Sequence, residues 1–126
     1  MSHPHSVIFN QVMNIHSRAA KGSAAKCEQL LKRMKDSRVA PDVRTFNLLL
    51  SAYANQYGPS HAEKVLHRLE THDHIKPNSI SYTTCMDAYA KIGDAHNNLR
   101  ILSLMEKVSV IFIVGKKTAD KHILLL

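Results

Sequence analysis

Histidine offers more chemistry than any other side chain here: nine occur in 126 residues, beside ten carboxylates and two cysteines. A metal site needs several such groups to converge, and two imidazoles share a helix face when they are four positions apart. His61 and His67 are six apart, and His72-Asp73-His74 has no cysteine or second ligand pair near it in sequence. Cys27 and Cys85 lack CxxC spacing and fall among apolar residues, so they are read as reduced thiols in a core. The acidic residues are scattered singly, with no glycine-rich phosphate loop or nucleophile elbow. The sequence therefore predicts no metal site, no cofactor and no catalytic centre. What remains is charge: 17 Lys plus Arg against 10 Asp plus Glu give +7 and a pI near 9.6, which points toward a polyanionic partner.

The elements that would position any binding residue are legible from periodicity. Six stretches carry bulky or apolar residues at i, i+3, i+4 and i+7, the spacing that lines one helix face. The odd members are Phe9, Val12, Met13 and His16; Phe46, Leu49, Leu50 and Tyr53; and Tyr82, Cys85, Met86 and Tyr89. The even members are Cys27, Leu30, Leu31 and Met34; Ala62, Val65, Leu66 and Leu69; and Asn98, Ile101, Leu102 and Met105. Between the second and third pairs, Pro41 to Pro77, Phe46 to Tyr82, Ala52-Tyr53-Ala54 to Ala88-Tyr89-Ala90 and Glu70 to Glu106 all keep an offset of 36. A fixed period of this size marks a helix-pair repeat, in which neighbours cover one another's apolar faces.

Turn chemistry follows the same period. Pro41-Asp42 stops the incoming segment and supplies an N-cap for a helix from about Arg44 to Asn55; Gly58-Pro59-Ser60 breaks and recaps. Pro77-Asn78-Ser79 and Gly93-Asp94 repeat the pattern, and Lys21-Gly22-Ser23 makes the break in the first pair. The amino terminus has neither a signal-peptide run nor the Arg-rich, Ser-rich character of a transit peptide, so either import is not encoded here or the chain is a fragment. The apolar run from Val108 to Val114 is far short of the ~20 residues of a membrane span, and no membrane partner is expected. Residues 108–126 depart in composition from the rest. They either extend the last helix over the end of the array or form an aberrant end of a longer protein.

The segment Pro41-Asp42-Val43-Arg44-Thr45-Phe46-Asn47-Leu48-Leu49-Leu50-Ser51-Ala52-Tyr53 resembles the opening of a pentatricopeptide repeat. Pro77-Asn78-Ser79-Ile80-Ser81-Tyr82-Thr83, with Asp87-Ala88-Tyr89-Ala90-Lys91-Ile92-Gly93-Asp94, is similar to the next one. A first repeat matches more loosely through Ile8-Phe9-Asn10 and Leu30-Leu31-Lys32-Arg33-Met34-Lys35. The related tetratricopeptide family has a period of about 34 and a Trp in its first helix; this chain has no Trp. Three repeats are expected within residues 1–107, at about 6–42, 43–78 and 79–107, and the likeness stops at Lys107. The resemblance implies an all-α, right-handed α-solenoid of antiparallel helix pairs, a superhelix like that of tetratricopeptide proteins.

It also implies a function. First helices would line a basic concave surface for single-stranded RNA, one base per repeat, read by a residue near the start of the first helix and by the last residue of the repeat. The readers carried over are Asn10 with Asp42, Asn47 with Asn78, and Thr83 with an unidentified residue near Val114. The family's code gives uracil for the first pair, a pyrimidine and above all cytosine for the second, and a purine for Thr83. Asp42 and Asn78 also suit helix capping, and the two roles are compatible. Val7, Arg44 and Ile80 match the base-sandwiching position, while Arg18 and Lys91 match a basic position that meets phosphate, where the second repeat has Asn55. The expected role is sequence-selective RNA binding in organellar RNA processing, stability or translation, in a mitochondrion or plastid. The alternative is a helical-repeat scaffold whose concave face holds other proteins.

Overall fold

The computed structural model describes the backbone of residues 4–19 and 23–119 and the side chains of 5–19 and 23–108. Lys21 and Gly22, in the expected first break, and the tail from Asp120 onward lie outside the described residues. The described residues form six α-helices: α1 (Pro4–Ser17), α2 (Ala24–Asp36), α3 (Val43–Tyr57), α4 (Pro59–Glu70), α5 (Ser79–Lys91) and α6 (Ala95–Ala119). The first helices α1, α3 and α5 pack in a row. Each even helix packs on the first helix of its own pair, and α2 and α4 also pack on that of the next. The fold is an all-α helical-repeat stack in which each repeat meets only its neighbours.

Helix starts have local causes. Asp42 is extended at the head of α3, where its carboxylate accepts the Thr45 N–H at 3.0 Å and the Thr45 hydroxyl accepts the Asp42 N–H at 3.1 Å. Asn78 and Ser81 build the same reciprocal capping box on α5, at 3.2 and 3.0 Å. Gly58 serves two helices at once. Its N–H reaches the carbonyls of Tyr53 and Ala54 at the end of α3, and its carbonyl accepts from Ala62 in α4. This requires φ of +100°, which only glycine adopts without strain. Ser60, expected to recap, lies inside the first turn of α4, because Gly58 and Pro59 already supply the start. The β-branched run from Val108 to Val114 continues α6 as helix.

The core is built from the periodic stripes, with Met13, Cys27, Leu31, Met34, Phe46, Leu49, Leu50, Leu66, Leu69, Tyr82, Cys85 and Ile101 buried in one continuous cluster. Burial raises the thiols of Cys27 and Cys85, to about 11 and about 12, keeping both protonated. His72 is structural: its Nδ1 accepts the N–H groups of His74 and Ile75, and its ring packs edge-on against Phe46. Val12 departs from expectation. It belongs to the predicted stripe but is partly exposed, whereas Leu49, its counterpart in α3, is sealed.

On the side of the second helices, a polar clamp joins successive repeats. Glu28 of α2 accepts from Tyr53 of α3 at 2.7 Å and from Arg68 of α4 at 2.8 Å. One repeat later, Glu63 of α4 accepts from Tyr89 of α5 and from the Arg100 guanidinium of α6 at 2.6 and 2.9 Å. Arg100 beside Glu63 holds its carboxyl below the usual range, assisted by the Tyr89 hydroxyl, against the opposing effect of burial. Burial and the Glu63 hydrogen bond push Tyr89 up to about 12, so it remains a neutral donor.

Because the folded-state value of Glu63 lies below the ordinary 4.5, its contribution is complete above that pH and is lost as pH falls through the lowered value. At neutral pH, Glu63→Gln is expected to cost about 1 kcal/mol, the upper end for a partly exposed pair. In urea unfolding, the gap between wild type and variant should narrow as pH falls from 7 toward 3. A gap of constant size would show that the clamp contributes no pH dependence.

Candidate nucleic-acid interface

The polar residues that recur at the start of the first helices sit deeper than their sequence position suggests. Asn10 is 3% exposed and Asn47 is 7% exposed, each turned into the seam between one first helix and the next. Their partners are the capping residues of the following repeat. The Ser81 hydroxyl donates to Asn47 Oδ1 at 2.6 Å and lies 3.1 Å from Asn78 Oδ1, while Asn47 Nδ2 donates to Asn78 Oδ1 at 3.1 Å. In the preceding seam, Thr45 Oγ1 donates to Asn10 Oδ1 at 2.9 Å and lies 3.0 Å from Asp42 Oδ1.

The backbone dictates which way these amides face. The Ser81 N–H can only donate, so Asn78 must turn Oδ1 toward it; that oxygen in turn requires Nδ2 from Asn47. Asn78 is exposed overall, and its Nδ2 has no protein partner among the described residues. The second carboxylate oxygen of Asp42 is likewise unused. Asn78 is exposed and Asp42 half-buried, so their spare atoms stand at the surface, whereas Asn10 is sealed in the seam. Each seam therefore presents an ordered polar edge: in one an amide donor, in the other a carboxylate acceptor.

The expected pairs thus come together, Asn47 with Asn78 directly and Asn10 with Asp42 through the Thr45 hydroxyl. Thr83 stands apart: it is exposed, and its hydroxyl donates to the Ile80 carbonyl of its own helix at 3.2 Å. Val7, Arg44 and Ile80 lie exposed in the first turns of α1, α3 and α5, the disposition a flat ligand face needs. Arg18 and Lys91 are exposed near the opposite ends of α1 and α5. Lys91 borders a cleft of about 390 Å³ between α3 and α5, lined also by Ser51, Asn55, Thr84 and Asp87. Asn55 is committed to structure, since its Nδ2 donates to the Ser17 carbonyl at 2.7 Å across the α1–α3 seam.

Sequence reasoning missed Thr45 and Ser81, the hydroxyls that hold these pairs. A signal was present, because they share the 36-residue offset and each lies three positions after a capping residue. Ser81→Ala removes the return half of the capping box and the donor to Asn47, and is expected to lower unfolding free energy by about 1 kcal/mol, as for a lost cap. Thr84→Ala, which removes an exposed hydroxyl bonded to Ile80, should stay within about 0.5 kcal/mol. Denaturant midpoints would distinguish them, and equal losses would count against a special role for Ser81.

Residues 4–121 match the family model described as the pentacotripeptide-repeat region of PRORP, a match running beyond Lys107, where the residue-by-residue likeness stops. The mitochondrial pentatricopeptide repeat-containing protein At3g15590 of Arabidopsis thaliana is 29% identical over 85 residues, covering 68% of this chain and 14% of that protein. The mitochondrial At2g20710 of the same plant is 29% identical over 100 residues, covering 79% of this chain and 20% of that protein. Among solved structures, that of the pentatricopeptide repeat protein PPR10 in complex with an 18-nucleotide psaJ RNA element superposes with a TM-score of 0.74 at 31% identity. That match covers 85% of this chain and 15% of PPR10. The chain spans between 14% and 20% of the length of these curated relatives.

Proposed function

Since the chain belongs to the pentatricopeptide repeat family, we propose that it binds single-stranded RNA and reads bases at the seams between its repeats. The observation that carries this reading is the Asn47–Asn78 hydrogen bond of 3.1 Å, which joins two repeats and leaves an oriented amide edge beside it. PPR10, a structural neighbour, was solved with an RNA element, which supports the same class of partner here.

The chemistry of each edge selects a base. Asn78 has used its oxygen on the Ser81 N–H and on Asn47, and offers only Nδ2–H; it suits a base whose ring nitrogen accepts, as cytosine N3 does. Asp42 offers only an acceptor, and suits uracil, whose ring N3 carries a hydrogen. Val7, Arg44 and Ile80 would cover the base faces, with Arg44 adding charge to stacking. Arg18 and Lys91 would meet the phosphates. Asn55 supplies no charge, so the salt dependence should be shallower than three basic contacts would give. Such binding occupies an RNA site and performs no reaction on it. The mitochondrial designations of two relatives support an organellar setting for RNA stability, processing or translation.

Fluorescence anisotropy at low salt tests the reading. Pyrimidine-rich oligomers should bind more tightly than oligoadenylate, by about tenfold if one oriented hydrogen-bonded contact of 1–2 kcal/mol discriminates. Asn47→Thr should shift the preference toward purine. Equal affinity for every oligomer, abolished by modest salt, would reduce the interface to a basic surface. No binding at all would favour a protein-holding scaffold.

A further inference from the structure

Asp87 is the only acidic residue within α1, α3 and α5, the helices proposed to face RNA. It is exposed, and among the described residues it has no hydrogen-bond or ion-pair partner. Lys91, one turn further along α5, does not pair with it. An unpaired carboxylate on a surface that meets a polyanion weakens binding by repulsion, unless the polyanion brings a proton donor to it.

Asp87 lines the cleft of about 390 Å³ between α3 and α5. On the α3 side the cleft is lined by Ser51, which holds the same position 36 residues earlier. Its hydroxyl also has no hydrogen-bond partner among the described residues. Thr84, on the α5 side, gives its proton to the Ile80 carbonyl at 2.7 Å, so its oxygen can only accept. The cleft thus offers acceptors from α5 and, from α3, a hydroxyl able to donate. At a rise of 1.5 Å per residue, Thr84 and Asp87 lie about 9 and about 14 Å along α5 from the Asn78 cap, and Lys91 about 20 Å.

A nucleotide whose base edge meets Asn78 and whose chain runs to a phosphate at Lys91 carries its sugar between the two, over the cleft. Inside an RNA chain the 3′ and 5′ oxygens of that sugar are esterified, and the 2′-hydroxyl is the one donor left on it. It is donor and acceptor at once: its proton suits the Asp87 carboxylate and its lone pair suits the Ser51 hydroxyl. Deoxyribose sets a C–H there instead. That satisfies neither group and strips water from the carboxylate without replacing it.

We propose that the α3–α5 cleft is a ribose site in which Asp87 accepts the 2′-hydroxyl of the nucleotide read by Asn47 and Asn78, so that the protein selects RNA over DNA there. The inference rests on the RNA-binding reading proposed above and adds the sugar to what is recognised. In the preceding seam the same two positions are Asn14 and Ser51. Neither is a carboxylate, so the selection belongs to one nucleotide.

Low-salt anisotropy titrations with oligocytidylate provide the test, with a chelator present so that no divalent cation bridges Asp87 to a phosphate. The ribo form should bind about tenfold more tightly than the deoxy form and than the 2′-fluoro form, which keeps the ribose pucker but has no proton to give. Asp87→Ala should bring the three forms within about twofold of one another, while Asp87→Asn, which retains an acceptor oxygen, should keep part of the preference. Asp87 has no protein partner to lose, so both variants should keep wild-type far-ultraviolet helicity. Preference for oligocytidylate over oligoadenylate, both in ribo form, reports base reading separately and should survive Asp87→Ala. A wild type that binds the ribo and deoxy forms equally while still preferring cytidine would overturn the ribose site and leave base reading intact. An Asp87→Ala variant that binds all three forms more tightly by one common factor would reduce Asp87 to repulsion and overturn it too. So would a 2′-fluoro oligomer bound as tightly as RNA, which would assign the preference to backbone shape. Binding to none of the oligomers would overturn the ribose site and base reading together.

Discussion

A hydroxyl sealed from water in the first turn of a helix has to find its partners within the protein, and for Thr45 and Ser81 those partners lie on two different repeats. Each accepts the N–H of the capping residue before it, and each has one proton to place between the cap's side-chain oxygen and the amide of the preceding repeat. One atom thereby sets where a helix begins, which way its cap faces and how far it is rotated against its neighbour. Apolar stripes alone tolerate some sliding, since Leu against Leu reads much the same one step along. The hydroxyl does not, and neither does the Glu–Tyr–Arg clamp on the second-helix side. The stack is pinned by polar contacts at both edges, with the apolar core between them.

This division explains what the sequence revealed and what it withheld. Helix number and order were legible because their causes are local: apolar spacing along one chain segment, a proline and a capping residue. Ser60, read as a cap, lies inside α4 because Gly58 and Pro59 already start that helix. Asn47 and Asn78, which family likeness pairs as base readers, lie within a direct hydrogen bond of each other. The depth of Asn10 and Asn47 was not legible, because the helical pattern places them beside the core stripe and says nothing of how closely two first helices approach. Glu28 and Glu63 look like ordinary surface carboxylates until Tyr53 and Tyr89 of the next repeat arrive beside them. Val12 fits the stripe as well as Leu49 does; periodicity cannot tell which repeat has a neighbour over it. From Val108 to Val114, β-branched residues continue a helix already under way, where extension by one residue is far easier than nucleation.

The hydrogen bond between Asn47 and Asn78 has a counting consequence. Its two ends belong to different repeats, so on the proposed reading a letter of the message is written neither on one helix pair nor on the other, but on their join. Three pairs have two joins, and only two letters are complete within this chain. An alphabet of this construction can be blanked without unfolding any helix: it is enough for two neighbours to part by the width of a water molecule.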